Sequence, residues 1–377
     1  MRKTDNFFMK RFLFLVFIGI FAGQSFLFAK GKADVNFEET LTQQNEVTVS
    51  ENAQAEEEVL EEEVVESKEP VQLYSLRPVE GEPVGFAEVW GFVNKGSESA
   101  YNSSLPITDV CYFSAEINSY GELTGAPVRS KLKTGKARCH MVVACDNAAI
   151  LHFILDPEYD LRKPLLKAIV KAAAAFDGVN IDFENVPSRD RKNFLNFIAD
   201  LRYMLGSAKW FSVCVPARFK LLSNDIYPYA EVASFCDRVF IMAYDQHWST
   251  SAAGPIAAVD WSEQILPYAQ KAIPEKKLVM GIPFYGRIWA DTSTSGAYIF
   301  TSMNKRMIEN GVEEVVYEND IPSFEYDTTV HVTGYFNDAY SDIALLRMYK
   351  SSGVKKIGFW RVGQEDPEFW NWLEIKK

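Results

Sequence analysis

The sequence predicts an α/β protein, a (β/α)8 TIM barrel with a small α+β insertion after the seventh strand. Eight apolar segments with strand character recur between residues 86 and 360. Several intervening stretches have the apolar periodicity of amphipathic helices. Alternation of this kind over about 290 residues matches the size of such a barrel. A doubly wound sheet is the alternative, but the chain has no Gly-rich phosphate loop.

The predicted strands are 86–93, 107–117, 140–145, 176–183, 211–215, 238–244, 278–288 and 356–360. The clearest helical periodicity covers 161–175, 189–205 and 260–272. Ser188 is a plausible N-cap for the second of these helices, and Gly206 is a plausible stop. The stretch between the last two strands is longer than one helix needs. Helical character near 303–310, strand-like 315–317 and 332–336, and a final helix over 339–349 predict the insertion.

The fourth predicted strand carries an unusual row of polar residues. Strand side chains alternate between faces, so Asn180, Asp182 and Glu184 point to one side. Burying such groups without partners is costly, so the row should line a site that is open to solvent. Glu184 is the last residue before the turn Asn185-Val186-Pro187-Ser188, and in a parallel barrel active sites lie at that end of the strands.

The eight residues from Asp177 to Glu184, Asp-Gly-Val-Asn-Ile-Asp-Phe-Glu, resemble the signature of family 18 glycoside hydrolases, the chitinase family. The usual form has Asp where Asn180 stands. The Asn form resembles the bacterial branch of spore-cortex and cell-wall N-acetylglucosaminidases. Three further segments resemble family motifs in the expected order between residues 86 and 372: Met242-Ala243-Tyr244-Asp245, Gly281-Ile282-Pro283-Phe284-Tyr285-Gly286-Arg287 and Gly358-Phe359-Trp360-Arg361.

Two carboxylates from one strand and one face cannot easily flank a sugar, as most glycosidases require. This geometry suits the substrate-assisted exception, in which the 2-acetamido oxygen of the substrate attacks. The resemblance then implies that Glu184 is the general acid and later the base, and that Asp182 orients the acetamide N–H. It also implies that Tyr244 holds the acetamide oxygen and that Trp360 forms the floor under the ring. The other predicted substrate-binding residues are Asn180, Tyr285, Met242 and Asp245.

Several of these residues also have a structural interpretation. Trp360 and Tyr285 are the kind of aromatics that fill barrel interiors, and Met242 is more often a packing residue than a ligand contact. The Asn180 amide cannot ionise, but its NH2 group can donate to Asp182, which predicts that Asp182 stays ionised. Asp177 is out of phase with the polar row and is expected to be structural unless Gly178 marks a bulge.

For other residues near the predicted cleft, the sequence leaves both a functional and a structural role open. In the resembled family the insertion can form one wall of the cleft, so Tyr335, Phe336 and Asp338 are candidates there, although a structural role is as plausible. His247 is expected to be a loop residue. Arg287 and Arg361 are expected to pair with loop carboxylates.

Two segments of distinct composition precede the predicted barrel. Residues 1–29 have the basic start, apolar core and small residues of a secretory signal peptide, which predicts an exported protein. An uncleaved membrane anchor is the alternative. Residues 30–72 are predicted to be an acidic disordered linker. Positions 31–72 hold thirteen Asp or Glu against two Lys, which is a net charge of −11, and the whole chain has a net charge of −12. Residues 73–377 form the predicted catalytic barrel.

No cofactor is expected. The five cysteines contain no C-x-x-C pair and the four histidines are not spaced as a metal cluster, so no metal site is predicted. Buried thiols are expected, although an exported protein could pair two of them. The acidity argues against nucleic-acid binding. A G-x-S-x-G nucleophile elbow is also absent.

Two functions remain open. The first is an exported retaining hydrolase, expected to act as a monomer, that cleaves β-1,4 bonds in N-acetylglucosamine-containing glycans such as peptidoglycan, chitin-type oligomers or an N-glycan core. The second is a catalytically silent, lectin-like barrel that only binds such glycans.

Overall fold

The computed structural model describes residues 76–291, 300–318 and 321–376. The predicted signal peptide, the predicted linker and the first residues of the predicted barrel domain, 73–75, lie outside the described residues.

Eight parallel strands close into a barrel, which confirms the predicted fold class. We label them β1 to β8: Glu88–Asn94, Asp109–Ile117, Arg138–Cys145, Gly178–Phe183, Trp210–Pro216, Arg238–Met242, Leu278–Pro283 and Lys356–Trp360. Each strand pairs with the next along the chain, and β8 pairs with β1 to complete the ring.

Helices connect the strands around the outside of the barrel. We label the α-helices α1 to α7: Ala148–Leu155, Arg162–Ala172, Arg191–Leu205, Tyr229–Phe235, Val259–Ala272, Phe300–Glu309 and Ala339–Ser351. The three helices predicted most clearly are therefore present. The second of them, α3, begins two residues later than predicted because a short 3-10 turn, Ser188–Asp190, precedes it. It ends at Gly206, whose φ of +66° is a conformation that favours glycine.

Apolar packing occurs on both sides of the barrel wall. Outward-facing residues of the strands pack against the helices, as Phe183 of β4 does against Phe197 of α3 with ring centroids 5.2 Å apart. A second buried cluster fills the barrel interior and consists of Trp90, Phe92, Cys111, Val142, Cys214, Phe240 and Val279. The interior is therefore a packed core below the carboxyl ends of the strands.

A network of ion pairs closes the opposite end of the barrel. Arg138 donates to both oxygens of Asp109, at 2.6 and 2.7 Å, and His140 lies 2.9 Å from the same carboxylate. Arg238 makes a similar two-pronged contact with Glu88. Asp109 and His140 are fully buried, so this network takes the place of apolar side chains at the amino ends of the strands.

Two predicted strands are divided in the structure. The 278–288 segment breaks after Pro283, and Arg287–Ala290 forms a separate antiparallel pair with Val332–Tyr335. The segment predicted at 86–93 also breaks, because Phe86 belongs to the short strand Val84–Phe86, which pairs with Leu373–Ile375 near the end of the chain. Both breaks are invisible to apolar patterning, since the residues on either side are equally apolar.

The predicted insertion is present between β7 and α7. Besides the pair just described it contains α6 and the hairpin formed by Val316–Glu318 and Ile321–Ser323. No helix in the described ranges is both long enough and apolar enough to cross a membrane.

Candidate functional site

The predicted polar row lies at the carboxyl end of β4, and burial changes along it. Asn180 is fully buried, Asp182 is 7% exposed, and Glu184, just beyond the strand, is open to solvent. The side chains rise from the barrel interior to its mouth because alternate residues of a strand share one face. The Glu184 N–H donates to the Cys145 carbonyl at 2.9 Å, which extends the pairing with β3 by one residue.

Tyr227 fixes the turn that carries Glu184. Its hydroxyl donates to the Phe183 carbonyl at 2.8 Å and accepts from the Val186 N–H at 3.3 Å, so it holds the backbone on both sides of Glu184. Asn185 adopts a φ of +56° between these two anchors, and its side-chain amide donates to the Asp146 carbonyl at 3.2 Å. The sequence analysis did not identify Tyr227, because it is 43 residues away from Glu184 along the chain.

The carboxyl groups of Asp182 and Glu184 both have raised pKa values. Burial raises the pKa of Asp182 to about 8, and the neighbouring charge of Glu184 acts in the same direction. The pKa of Glu184 is raised as well, first because protein atoms desolvate the carboxyl group on its inner side and then because Asp146 and Asp245 are close. The pair therefore retains a proton near neutral pH, as expected for interacting carboxyls.

The predicted role of Asn180 toward Asp182 is wrong. Its NH2 group donates to the Ser212 hydroxyl at 2.8 Å, and its carbonyl oxygen accepts from the Cys214 thiol, with 3.3 Å between the oxygen and the sulfur. Asp182 does not receive the amide donor that would keep it ionised, so the prediction of a permanently charged Asp182 is also wrong. Since Asn180 is fully buried, it can act on a substrate only through its neighbours.

Tyr244 follows β6 and is half-buried beside the two carboxyl groups. Burial raises the pKa of Tyr244 well above its ordinary value, and nearby acidic groups that include Asp182 and Glu184 add to the effect. The phenol therefore keeps its proton and can donate a hydrogen bond. Its ring meets that of Tyr285 edge to face, with centroids 6.3 Å apart.

Asp245 is anchored by two of the predicted residues. Its Oδ1 accepts from the Tyr285 hydroxyl at 2.5 Å and from the Arg287 guanidinium at 2.8 and 3.1 Å. The expectation that Arg287 pairs with a loop carboxylate is therefore confirmed. Asp245 has a φ of +54°, which turns its side chain into this cluster immediately after Tyr244.

Trp360 and Met242 are half-buried above the interior core. The indole of Trp360, the last residue of β8, meets the Phe113 ring at 4.8 Å and the Phe92 ring at 5.4 Å between centroids. Met242, the last residue of β6, packs against the same interior cluster. Both residues have packing contacts below them and accessible surface above, so the packing interpretation is confirmed and contact with a substrate stays a prediction.

Some candidates have structural roles. Asp177 accepts the Cys139 N–H at 2.7 Å, at the amino end of β4. Asp338 caps α7 through reciprocal hydrogen bonds with Ser341. His247 contacts the Pro255 carbonyl at 2.9 Å, as expected of a loop residue. Tyr335 packs against Trp289 in the insertion.

Asp146 and Cys214 are site residues that the sequence analysis missed. Asp146 directly follows β3, and its charge acts on both Asp182 and Glu184. The strand order could have identified it, since β3 neighbours β4. All five cysteines are free and buried, which confirms the expectation of buried thiols.

One group of described side chains has the composition of a metal site. The ligand atoms of His152, Asp156 and Asp190 lie within 4.8 Å of one another. The 2.9 Å contact between His152 and Asp190 accounts for this arrangement as a hydrogen bond between two helical segments.

Comparison with known proteins identifies the family. The model of the family described as "Glycosyl hydrolases family 18" matches residues 160–365, more than half of the chain. The chain belongs to glycosyl hydrolases family 18. The matched range of this family 18 protein includes Asp182, Glu184, Tyr244 and Trp360.

Among relatives, the uncharacterized glycosylase YvbX of Bacillus subtilis is 30% identical over 210 residues, covering 52% of this chain and 60% of YvbX. The cortical fragment-lytic enzyme of the same organism is 22% identical over 303 residues, covering 73% of this chain and 69% of that enzyme. The match to the putative sporulation-specific glycosylase YdhD covers only 47% of the length of YdhD. The family 18 chain thus spans about half the length of the first relatives it matches.

Solved structures share the fold. The spore cortex-lytic enzyme SleL of Bacillus cereus superposes with a TM-score of 0.61 at 21% identity, covering 79% of this chain and 77% of SleL. The chitinase of Chromobacterium violaceum gives a TM-score of 0.59 at 25% identity, covering 76% of this chain and 97% of the chitinase.

Proposed function

We propose that this family 18 chain is an exported retaining glycosidase that cleaves β-1,4 bonds of N-acetylglucosamine-containing glycans by substrate-assisted catalysis. The observation that carries the proposal is the pair of carboxyl groups at the end of β4. Glu184 opens to the cleft with a raised pKa, and Asp182 lies two residues behind it on the same face. A carboxylic acid whose pKa is raised holds its proton to a higher pH than usual, which suits general acid catalysis.

In the first step Glu184 gives its proton to the leaving oxygen while the acetamide oxygen of the substrate forms a bond to the anomeric carbon. The glycosidic C–O bond breaks, and the positive charge spreads over the acetamide. Asp182, which is ionised when the proton shared by the pair lies on Glu184, accepts the acetamide N–H and stabilises that charge. In the second step the Glu184 carboxylate takes a proton from water as the water oxygen attacks the anomeric carbon. The bond from that carbon to the acetamide oxygen breaks, the acetamide becomes neutral, and the starting state is restored with retained configuration.

The surrounding residues support this assignment. Tyr244 keeps its phenolic proton, so it can donate to the acetamide oxygen and hold it in line for attack. Trp360 offers an apolar surface above Phe92 and Phe113, which suits the face of a pyranose ring. Asp245 is bound to Tyr285 and Arg287 through one oxygen, so it is better placed to orient the cleft wall than to attack the sugar.

Relatives support two glycan classes. The cortical fragment-lytic enzymes of Bacillus and the spore cortex-lytic enzyme SleL favour a peptidoglycan substrate, and the class V chitinase of Arabidopsis thaliana and the Chromobacterium violaceum chitinase favour chitin-type oligomers. The signal-like sequence of residues 1–29 supports export, which would bring the site to such glycans outside the cytoplasm.

The test is digestion of peptidoglycan strands, chitin oligomers and an N-glycan core by the full chain, with product masses read out. We expect cleavage after N-acetylglucosamine in peptidoglycan or chitin oligomers. Saturable binding of these glycans without any product would instead identify the silent, lectin-like barrel. If the chain neither cleaves nor binds any of the three glycans, both functions are rejected.

A further inference from the structure

A buried thiol lies beside the inner carboxyl group of the site. Strand β4 pairs with β3 at Ala144 and Asp182, and with β5 at Ile181 and Val213. The flanking side chains of Asp182 are therefore Ala144 on one side and Cys214, the residue after Val213, on the other. Ala144 has no hydrogen-bond donor, so Cys214 is the only lateral neighbour that can donate to Asp182.

Cys214 faces two acceptors. Its sulfur lies 3.3 Å from Asn180 Oδ1, to which the thiol donates, and the Asn180 NH2 group is held 2.8 Å from the Ser212 hydroxyl. Burial and then the charge of Glu184 raise the pKa of Asp182, whereas hydrogen bonding by the Cys214 thiol acts to lower it. Asp182 Oδ1 is buried and has no partner within the described residues.

A thiol has only one proton to donate. While Asp182 is protonated, the thiol can keep its hydrogen bond to Asn180. Once Asp182 loses its proton, rotation about the Cα–Cβ bond of Cys214 can turn the S–H toward the new negative charge. The Asn180 carbonyl then loses this donor. Burial raises the pKa of Cys214 well above its ordinary value, so the thiol remains a donor in both states.

We propose that Cys214 is a positioning residue that sets how readily the Asp182–Glu184 pair releases its shared proton, by moving its single S–H between Asn180 and Asp182. The inference rests on the proposed glycosidase function and adds a residue that acts through the carboxyl pair without touching substrate.

The other titratable groups around this thiol are carboxyl groups, whose charge opposes ionisation of the pair, and thiols and phenols that keep their protons. Those that face Asp182, Glu184 or Cys214 from the surrounding strands and loops are Cys111, Asp146, Tyr227, Tyr244 and Asp245. All of them are acids, and the nearby cation Arg287 is bound to Asp245. Of these groups, Cys214 is the one whose hydrogen bonding acts to lower the pKa of Asp182.

The test compares the pH dependence of kcat/KM on a soluble N-acetylglucosamine oligomer for the wild type, Cys214→Ala, Cys214→Ser and Cys236→Ala. Without the donor, the alkaline limb of the Cys214→Ala profile should move upward by about half to one pH unit. A hydroxyl donates more strongly than a thiol, so Cys214→Ser should move the limb downward. Cys236 is the matched control: it is also buried and donates to a carbonyl, that of Val232, at 3.3 Å, and its variant should keep the wild-type limb.

Shifts of the same sign for alanine and serine, or no shift for either, would overturn the inference. If Cys214→Ala does not fold, the serine variant decides alone, since an unchanged or upward-shifted limb contradicts donation to Asp182.

A second measurement does not depend on activity. Because the pKa of Asp182 is raised in the fold, its unfolded form ionises first, so the contribution of Asp182 to stability should fall as pH rises from about 4 to about 8 and then level off. Each alanine variant also loses one buried thiol whose pKa is raised, so the comparison is between the two variants: relative to Cys236→Ala, the stability of Cys214→Ala in urea denaturation should go on falling above pH 8.

The two measurements separate the possible failures. An inactive wild type with this extra loss of stability in Cys214→Ala would reject the proposed function and keep the role of the thiol. An active enzyme in which Cys236→Ala and Cys214→Ala have parallel stability curves would reject the role of the thiol alone.

Discussion

The Tyr227 hydroxyl donates to the carbonyl of Phe183, the residue immediately before the proposed general acid. The same oxygen accepts the Val186 N–H, so one side chain from the loop before α4 holds the backbone around Glu184 at two points. A carboxyl group that must reach a leaving oxygen within hydrogen-bonding distance depends on such support.

Tyr227→Phe tests this support. Loss of the hydroxyl leaves a buried carbonyl and a buried N–H without their partner, which should cost about 1–3 kcal/mol of unfolding free energy. Turnover should also fall, because Glu184 is no longer held in place. The measurements are urea denaturation and kcat.

Tyr229→Phe is the matched control for that variant. The Tyr229 hydroxyl donates to the Pro216 carbonyl at 2.7 Å, and its ring stacks on Tyr268. Its removal should reduce stability by a similar amount and leave kcat nearly unchanged at a temperature where both variants are folded. Equal losses of kcat in the two variants would argue against a specific role for Tyr227.

Replacement of Glu184 by Gln should abolish most turnover. The amide has nearly the same shape but cannot supply the proton, so we expect a loss of at least about a hundredfold in kcat, with the fold retained. Glu263→Gln, an exposed position on α5, is the control and should match the wild type. Near-normal turnover by the Glu184 variant would place the general acid elsewhere.

Substrates that lack the acetamide should not react. Cello-oligosaccharides and fully deacetylated chitosan offer a glycosidic bond but no internal nucleophile. An NMR time course on an N-acetylglucosamine oligomer should reveal the β-anomer first, because two displacements retain configuration. Rapid cleavage of a glucose-only chain, or α-anomer as the first product, would point to attack by a protein carboxylate or by water.

The ion-pair network at the amino ends of the strands should make stability depend on acid pH. Burial opposes the charge of Asp109, but hydrogen bonds from His140 and Arg138 outweigh it and lower the pKa of Asp109. The contribution of Asp109 is therefore complete above its unfolded pKa of about 4 and is lost as pH falls through the lower pKa of the folded state.

Asp109→Asn should reduce the unfolding free energy at pH 7 by about 3–5 kcal/mol, since it breaks a buried pair and removes the carboxylate that Arg138 and His140 share. At pH 2 to 3 the gap between the variant and the wild type should narrow. Asp200→Asn, at an exposed carboxylate 3.7 Å from Arg162, should change stability little at either pH. A gap that is independent of pH would exclude ionisation of Asp109 as its source.

The barrel and the row from Asn180 to Glu184 could be predicted from sequence because strand periodicity and a family motif both act over a few adjacent residues. The hydrogen-bond partners of that row could not. Ser212, Cys214 and Tyr227 come from other segments, and their contacts depend on the register between strands. The charge state of Asp182 was mispredicted for the same reason, since it depends on where the Asn180 amide points.

The break after Pro283 was missed for a different reason. Apolar character continues into Arg287–Ala290, but those residues pair with the insertion and leave the barrel wall. The local apolar pattern indicates that a segment is extended, but it does not indicate which sheet the segment joins.

The apolar core beneath the site has a further consequence. Trp90, Phe92, Phe240 and Val279 fill the barrel below Asp182, and the far end is closed by ion pairs, so solvent reaches the carboxyl pair from the mouth of the cleft. A sugar that occupies the mouth covers that path. In the proposed mechanism the number of protons on the pair is then set when the substrate binds, and the first step uses a proton that the pair already holds.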